Sequence, residues 1–317
     1  MTITGGVRQG GREQRRLSVI LVREVRTDMT HSPDLPVGAV RIAGDTHYLP
    51  GLTNSGFIDG LVIDTGPECE PYADVAIDRL AITHGHADHF AAGSVLRENG
   101  ATVVAARDDA ALVENPDINI RGMFSWARPS DLLVTKLFIG TPCKVDALVE
   151  DWRDHRATPV ALAGHTLGHT AFLTRDGVLF TGDALYQEAL WARHKLPYAI
   201  DPDMVACSLE RIRDLEFDWL VPGHGVLADR ATSLRDIDFH LAQIRAIEEL
   251  LLAELHRAHT TEEAIALVSE RRALSDNPAQ YWLAVTTVKG YLGNLLGRGL
   301  LEFSVVNHAG VWKKVES

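Results

Sequence analysis

Short apolar runs separated by glycine-containing turns fill the first half of the chain. Runs bounded by turn residues predict β-strands, whereas apolar residues at every third or fourth position predict helices. The predicted strands are LSVILVREV (17–25), AVRIAG (39–44), LVIDTG (61–66), LAIT (80–83) and TVVAA (102–106). Two segments between them have helical spacing, GSVLREN (93–99) and DDAALVEN (108–115). This alternation predicts a mixed α/β fold.

The last part of the chain is mainly helical in pattern. Its predicted helices are RATSLRDIDFHLAQIRAIEELLLAELHRA (230–258), a segment that begins with TTEEAIAL (260–267), and PAQYWLAVTTVKGYLGNLLGRG (278–299). Thr232 or Ser233 is the expected N-cap of the first helix, and the second has a Ser/Thr-x-x-Glu start. LEFSVVNHAGVWKKV (301–315) predicts a β-hairpin with its turn near Asn307–Gly310. Three helices followed by a hairpin are typical of a winged helix.

The charge of this tail bears on its partners. Residues 241–317 carry 8 Lys and Arg against 9 Asp and Glu, and the whole chain has a formal net charge of −12. Proteins that bind nucleic acid normally present a basic face, because lysine and arginine neutralise phosphates. We therefore interpret the tail as a packing or homodimerisation element, with LLLAEL (250–255) favouring a protein contact. No nucleic-acid partner is expected.

Four potential metal ligands stand close together in THGHADHF (83–90), namely His84, His86, Asp88 and His89. They follow an apolar, strand-like run, so they are expected on the loop that leaves a strand. Three imidazoles and a carboxylate are costly to bury together unless they bind a cation, and both ligand types suit zinc. His84 and His86 would point at one metal, while Asp88 and His89 turn toward a second. The spacing predicts two adjacent metal sites.

Later strand ends supply further candidates. AGHTLGHT (163–170) contains His165 and His169, VLFTGDALY (178–186) contains Gly182-Asp183, and WLVPGHG (219–225) ends with Gly223-His224-Gly225. Each candidate follows an apolar run and adjoins a glycine, which lets the backbone turn tightly and approach an ion. Such loops on a rigid scaffold are where active-site groups are expected.

These motifs, in this order, resemble those of the metallo-β-lactamase superfamily of metal-dependent hydrolases over roughly residues 17–240. The resemblance implies a four-layer αββα sandwich. It divides the chain into a flexible N-terminus (1–16), a catalytic domain (17–240) and a small, mostly helical, winged-helix-like domain (241–317). The tail is similar to an appendage found on some members of the superfamily.

The resemblance also implies a ligand set. His84, His86 and His165 would hold one metal, Asp88, His89 and His224 the other, and Asp183 would bridge the two. His169 is then a hydrogen-bonding neighbour of the ligands, with a ligand role as the alternative. Asp64, at the end of the strand before the metal loop, is expected near the site without ligating.

The implied activity is hydrolysis of a small ester-like molecule, a thioester or a lactone, by a hydroxide bound between two zinc ions. Iron and manganese are the alternative metals. Asp88 would ligate and orient the hydroxide. Tyr186 resembles the tyrosine that donates to the substrate carbonyl in quorum-signal lactonases of this superfamily, and a packing role is its alternative.

The same motifs are also compatible with other activities. A mononuclear iron persulfide dioxygenase would need only His84-, His165- and Asp183-type ligands, which leave positions open for oxygen. An RNA-directed nuclease and a hydrolytic dehalogenase are further alternatives. Fold alone does not choose among them.

The cysteine content indicates the cellular compartment of the protein but not its substrate. Cys69, Cys143 and Cys207 are far apart and form no paired motif, which favours a reducing compartment. No signal peptide or membrane-spanning stretch is expected, so the predicted location is the cytoplasm.

The segment 121–150 carries several large apolar residues, Met123, Phe124, Trp126, Leu137 and Phe138. It is expected to form a wall or lid over the metals, a subunit contact or ordinary core.

Overall fold

The computed structural model describes residues 35–131, 133–134 and 139–316. The strand expected at 17–25 and the N-terminal residues 1–16 lie outside the described residues, as do Leu137 and Phe138. The described chain forms two facing sheets with helices on their outer sides, followed by a helical C-terminal region with a small sheet.

The first sheet contains seven described strands, and their order in the sheet follows the order in the chain. They are β1 (Val40–Ala43), β2 (Thr46–Leu49), β3 (Ser55–Ile58), β4 (Leu61–Ile63), β5 (Arg79–Ala81), β6 (Thr102–Ala105) and β7 (Ala147–Leu148). Strands β1 to β4 pair antiparallel, and β4 to β7 pair parallel. The parallel connections contain α1 (Gly93–Glu98), α2 (Arg107–Glu114) and α3 (Asp117–Met123). The elements predicted between residues 39 and 115 are confirmed.

The second sheet has five described strands in the order β12-β11-β10-β9-β8. They are β8 (Ala157–Ala161), β9 (Thr170–Thr174), β10 (Val178–Gly182), β11 (Trp219–Pro222) and β12 (Ala228–Asp229). Between β10 and β11 lie α4 (Glu188–His194) and α5 (Pro202–Asp214). Because β10 and β11 pair parallel, the loops that follow them leave from the same edge of the sheet.

The two sheets pack face to face through a buried apolar layer. Ile58 and Ile63 of the first sheet share a buried cluster with Phe172 and Phe180 of the second. The approach is close enough to require glycine at position 56, where a Cβ would lie 2.7 Å from the Phe180 ring. Burial of these faces is the main force that aligns the loop-bearing edges of the two sheets.

Helices cover both outer faces of this sandwich. Leu96 of α1 and Val113 of α2 pack on the first sheet. Leu209 of α5 and Ile237 of α6 (Arg230–Glu254) pack on the second. The predicted four-layer αββα arrangement is thereby confirmed.

The C-terminal region consists of three helices and a small sheet. It contains α6, α7 (Thr261–Arg271), α8 (Pro278–Gly297), β13 (His259–Thr260), β14 (Leu301–Val306) and β15 (Ala309–Lys314). The hairpin is confirmed, and Asn307 and His308 form its turn with positive φ angles of 49° and 66°. The predicted start of α7 is also confirmed, since Thr260 and Glu263 form a capping box.

One helix start differs from expectation. The N-cap of α6 is Asp229, whose carboxylate accepts a hydrogen bond from the Thr232 backbone N–H, so the prediction of Thr232 or Ser233 is wrong. Asp229 stands one residue before the helix in extended backbone, which is where a side-chain oxygen reaches the third N–H. Thr232 is already in the first turn.

The helix α6 also joins the two parts of the chain. The expected boundary between residues 240 and 241 lies within it, and Leu241 and Ile244 belong to the same buried cluster as Leu179 of the second sheet. Among the helices formed by the described residues, none is long and apolar enough to cross a membrane.

Candidate metal centre

The candidate ligands lie at the ends of four strands along one edge of the sandwich. Those of the first motif follow β5, and Asp88 and His89 among them lie in a short 3₁₀ turn at Ala87–His89. His165 follows β8, Asp183 follows β10 and His224 follows β11. The structure brings all seven predicted ligands together. They form three overlapping groups that could hold a metal ion, namely His84, His86 and His165; His84, His89 and Asp183; and Asp88, His89 and His224.

Three imidazoles form the first group. His86 Nδ1 lies 3.0 Å from His84 Nε2 and 2.9 Å from His165 Nε2. The other nitrogen of His165 donates to the Tyr198 carbonyl at 2.9 Å, which assigns the lone pair to Nε2. Burial lowers the pKa of both His84 and His165 well below the usual value, so these rings are neutral. Neutral imidazoles that converge on one point suit a divalent cation.

Asp88, His89 and His224 form the second group. His224 Nε2 lies 3.2 Å from Asp88 Oδ2, and His89 Nε2 lies 3.9 Å from the same oxygen. The Asp183 carboxylate raises the pKa of His224 to about 9. Burial would raise the pKa of Asp183, but His224 and His89 outweigh it and hold this pKa well below its usual value. Asp183 is therefore a buried anion.

Asp183 lies between the two groups. Its Oδ2 is 3.6 Å from His165 Nε2 and 3.6 Å from His224 Nε2, and its Oδ1 is 3.3 Å from His89 Nε2. His89 Nε2 and Asp183 Oδ1 are buried 3.3 Å apart, and neither makes a hydrogen bond of good geometry with any described residue. Buried polar atoms normally have a partner, and a metal ion is one that both atoms can share.

Asp64 fixes the orientation of His89. Its carboxylate accepts from His89 Nδ1 at 2.8 Å, from the Thr83 hydroxyl at 2.6 Å and from the Thr83 backbone N–H at 2.7 Å. The ring is thus held with Nε2 toward the second group. Asp64 lies near the site and outside the three groups, as expected from the sequence, and it does so in left-handed backbone with φ of 54°.

His169 also lies beside the ligands. Its Nε2 donates to the Thr181 carbonyl at 2.9 Å, and its ring stacks on His84 at a centroid distance of 4.7 Å. Among the described residues it belongs to none of the groups that could hold a metal. The hydrogen bond predicted for it is present, and its Nδ1 is buried without a hydrogen-bond partner among the described residues.

Asp109, which is buried in the first turn of α2, was not among the predicted site residues. Its carboxylate accepts from the Gly85 N–H at 2.8 Å, the Gly168 N–H at 2.8 Å and the Thr166 hydroxyl at 2.6 Å. Gly85 adjoins two ligands of the first group, and Thr166 adjoins the third. One carboxylate therefore joins the two loops that carry the first group. The only signal in the sequence was an acidic residue at the start of a predicted helix.

The Tyr186 hydroxyl donates to Asp183 Oδ2 at 2.9 Å, and the side chain is buried. A phenol has one proton to donate. The expected contact with a substrate carbonyl would therefore require this hydrogen bond to break. Tyr186 also donates its backbone N–H to His240 Nδ1 at 3.3 Å, which connects the site with α6.

The segment 121–150 contributes to the surroundings of the first group. Met123 and Phe124 are buried in a small cluster that includes Tyr198 and Trp282. The Tyr198 ring in turn lies 5.4 Å from His86 and 5.5 Å from His165, measured between ring centroids. Met123 and Phe124 thus form buried apolar packing beside Tyr198, whereas Trp126 is 69% exposed.

An αββα sandwich with converging histidine and aspartate side chains at one edge of its sheets is typical of a metal-dependent enzyme. The chain belongs to the metallo-beta-lactamase superfamily, because the model of that family matches residues 48–224. Members of this superfamily are generally hydrolytic metalloenzymes.

Two solved structures resemble the chain over most of its length. One is a metallo-beta-lactamase family protein from Thermus thermophilus, with 18% identity, a TM-score of 0.61, and coverage of 90% of this chain and 99% of the other. The second is a beta-lactamase domain protein from Burkholderia ambifaria, with 18% identity, a TM-score of 0.60, and coverage of 89% and 95%. No curated protein matches the sequence. At this identity the structural matches establish the fold.

Proposed function

We propose that the chain hydrolyses a small ester-like molecule, a thioester or a lactone, with two zinc ions. His84, His86 and His165 would hold one ion, Asp88, His89 and His224 the other, and Asp183 would bridge them. The observation that carries this proposal is the pair of buried atoms without a hydrogen bond of good geometry, His89 Nε2 and Asp183 Oδ1, between two groups of converging ligands. The donor set is all imidazole and carboxylate, which fits zinc.

Two divalent ions held here would lower the pKa of a water molecule and polarise a carbonyl group. The protein's own groups then orient the reactants. The Asp88 side chain is 35% exposed, against 7% for Asp183, so Asp88 is the carboxylate that a water molecule at the site can reach and be oriented by. The Thr53 hydroxyl donates to Asp88 Oδ2 at 3.3 Å and restricts its rotation.

Metal content and substrate turnover test this proposal together. We expect about two zinc ions per chain in purified protein, and hydrolysis of members of a thioester and lactone panel that stops on chelation and returns with zinc. One iron per chain with oxygen consumption on a persulfide substrate would replace the hydrolase by the dioxygenase. Protein that binds no metal from a zinc-containing buffer would contradict both.

Replacing Tyr186 with phenylalanine is expected to lower turnover about tenfold while both metals stay bound. The variant keeps the ring and loses the hydrogen bond to Asp183 Oδ2. Hydrogen bonds to charged groups contribute about 1.5–3 kcal/mol, so the loss is measurable in kcat. Unchanged kcat, KM and metal content would leave Tyr186 with a packing role only.

A further inference from the structure

One face of α8 packs against the segment 198–203, which follows α4 and includes the first two residues of α5. The Ala199 N–H donates to the Thr287 hydroxyl at 3.2 Å, and the Asp203 N–H donates to Asn294 Oδ1 at 3.2 Å. Thr287, Gly290 and Asn294 lie on one helix face, because positions three and four apart are neighbours.

The same segment holds the loop that carries His165. The Tyr198 carbonyl accepts from His165 Nδ1 at 2.9 Å, which directs Nε2 toward His86. The N–H groups of Ile200 and Asp201 both donate to the Gly164 carbonyl, at 2.9 and 3.1 Å. Three hydrogen bonds therefore connect this segment with His165 and with the residue before it.

Two glycines of α8 differ sharply in their surroundings. A Cβ on Gly290 would lie 2.7 Å from the Ile200 carbonyl oxygen and 3.0 Å from Pro202 Cδ. Gly293, three residues later on the same helix, has no atom within 4 Å of its ideal Cβ. The first contact is with backbone, which cannot rotate aside as a flexible side chain would. Gly290 is thus a close contact between α8 and the segment, and Gly293 is not.

We propose that α8 is a positioning element of the metal centre. It holds the segment 198–203, and through Tyr198 and Gly164 it fixes the direction in which His165 presents Nε2. The C-terminal region is then part of the site's support and not a separate module. This inference rests on the proposed function, because it concerns a ligand of the first zinc ion.

The pair Gly290→Ala and Gly293→Ala tests the proposal with a matched control. Both changes give the helix the same gain in propensity, and only the first places a methyl group against Ile200. We expect Gly290→Ala to weaken metal binding at the first site about 10–100-fold, the range seen when partners of metal ligands are removed. The measurement is titration with cobalt(II), followed by its absorption spectrum, and zinc competition with a chelator. Gly293→Ala should stay within about twofold of the parent.

A second pair of variants applies if Gly290→Ala does not fold. Thr287→Val removes the hydroxyl that accepts from Ala199 N–H, and Thr287→Ser keeps it. We expect the valine variant to lose first-site affinity and the serine variant to recover most of it. If the contact only stabilised the fold, Gly290→Ala and Thr287→Val would lower the melting temperature without changing the ratio of zinc affinity at the first site to that at the second. That result would overturn the proposal.

Amide hydrogen exchange over residues 196–204 separates this inference from the function on which it rests. Measured on metal-free protein, exchange should be faster than the parent's in Gly290→Ala and Thr287→Val, and equal to the parent's in Gly293→Ala and Thr287→Ser. A parent that binds no metal would contradict the proposed function alone, since the exchange result still decides whether α8 holds the segment. Equal exchange in all four variants and unchanged metal affinity would contradict the role of α8.

Discussion

Replacing Asp183 with asparagine is expected to reduce the metal content from about two ions per chain to at most one and to lower hydrolysis by more than about 100-fold. The amide keeps the shape of the side chain but removes its charge and one of the two oxygens that face both ligand groups. Losing an outer partner of a ligand already costs about 10–100-fold, so losing a shared ligand should cost more. Elemental analysis and kcat/KM on the best substrate measure the two effects.

Asp154→Asn is the matched control for this change. The Asp154 side chain is 6% exposed, against 7% for Asp183, and it also pairs with a cation, since it binds Arg156 and Arg79 away from the metal centre. We expect the control to lower thermal stability and to keep both metals. Zinc should raise the melting temperature of the parent and of the control, because it binds only folded protein, and should raise that of Asp183→Asn much less. Full activity in Asp183→Asn would contradict the dinuclear proposal.

The candidate ligands could be predicted because each lies beside a recognisable strand end. His84, His86, Asp88 and His89 are close in sequence, so their proximity is nearly guaranteed by the chain. Bringing His165, Asp183 and His224 to them requires the fold, and the sequence supplied it only through the resemblance. Once the two sheets face each other, strands β5, β8, β10 and β11 end at one edge of the sandwich.

The residues that hold the ligands in place could not be predicted in the same way. Asp109 acts on Gly168 across 59 residues, and Thr287 acts on Ala199 across 88. Neither interaction leaves a periodic or local pattern in the sequence. The sequence does not single out Gly290 either, because an isolated glycine in a predicted helix is normally taken only to lower the stability of the helix. Its significance depends on the nearby Ile200 carbonyl.

In the fold, too, features that depend on neighbouring residues could be predicted, whereas features that depend on distant contacts could not. The hairpin at β14 and β15 and the start of α7 depend on neighbouring residues, and both were predicted correctly. Strand β3 was missed, since SGFI is short and contains a glycine that disfavours a strand by itself. That glycine is present because the Phe180 ring of the other sheet occupies the space of a side chain.

Asp109 is the residue whose importance depends most on such distant contacts. Three donors converge on its two oxygens, and the residue is only 1% exposed, so water cannot readily replace them. The close packing also restricts its neighbours, since a Cβ on Gly168 would lie 2.9 Å from Asp109 Oδ1. An uncharged replacement of the same shape would turn an N–H₂ group toward at least one of these donors. The two loops of the first ligand group would then separate.

Asp109→Asn is therefore expected to weaken zinc binding at the first site about 10–100-fold while the second site keeps its affinity. Leaving buried donors unpaired should also lower the free energy of unfolding by about 1–3 kcal/mol. Asp146→Asn is the control, because Asp146 likewise accepts a backbone N–H, from Val103, and pairs with Arg97, but far from the ligands. Site-resolved zinc affinity, from chelator competition, should fall only in Asp109→Asn. Equal zinc affinity in the two variants would mean that Asp109 stabilises the fold without positioning the ligands.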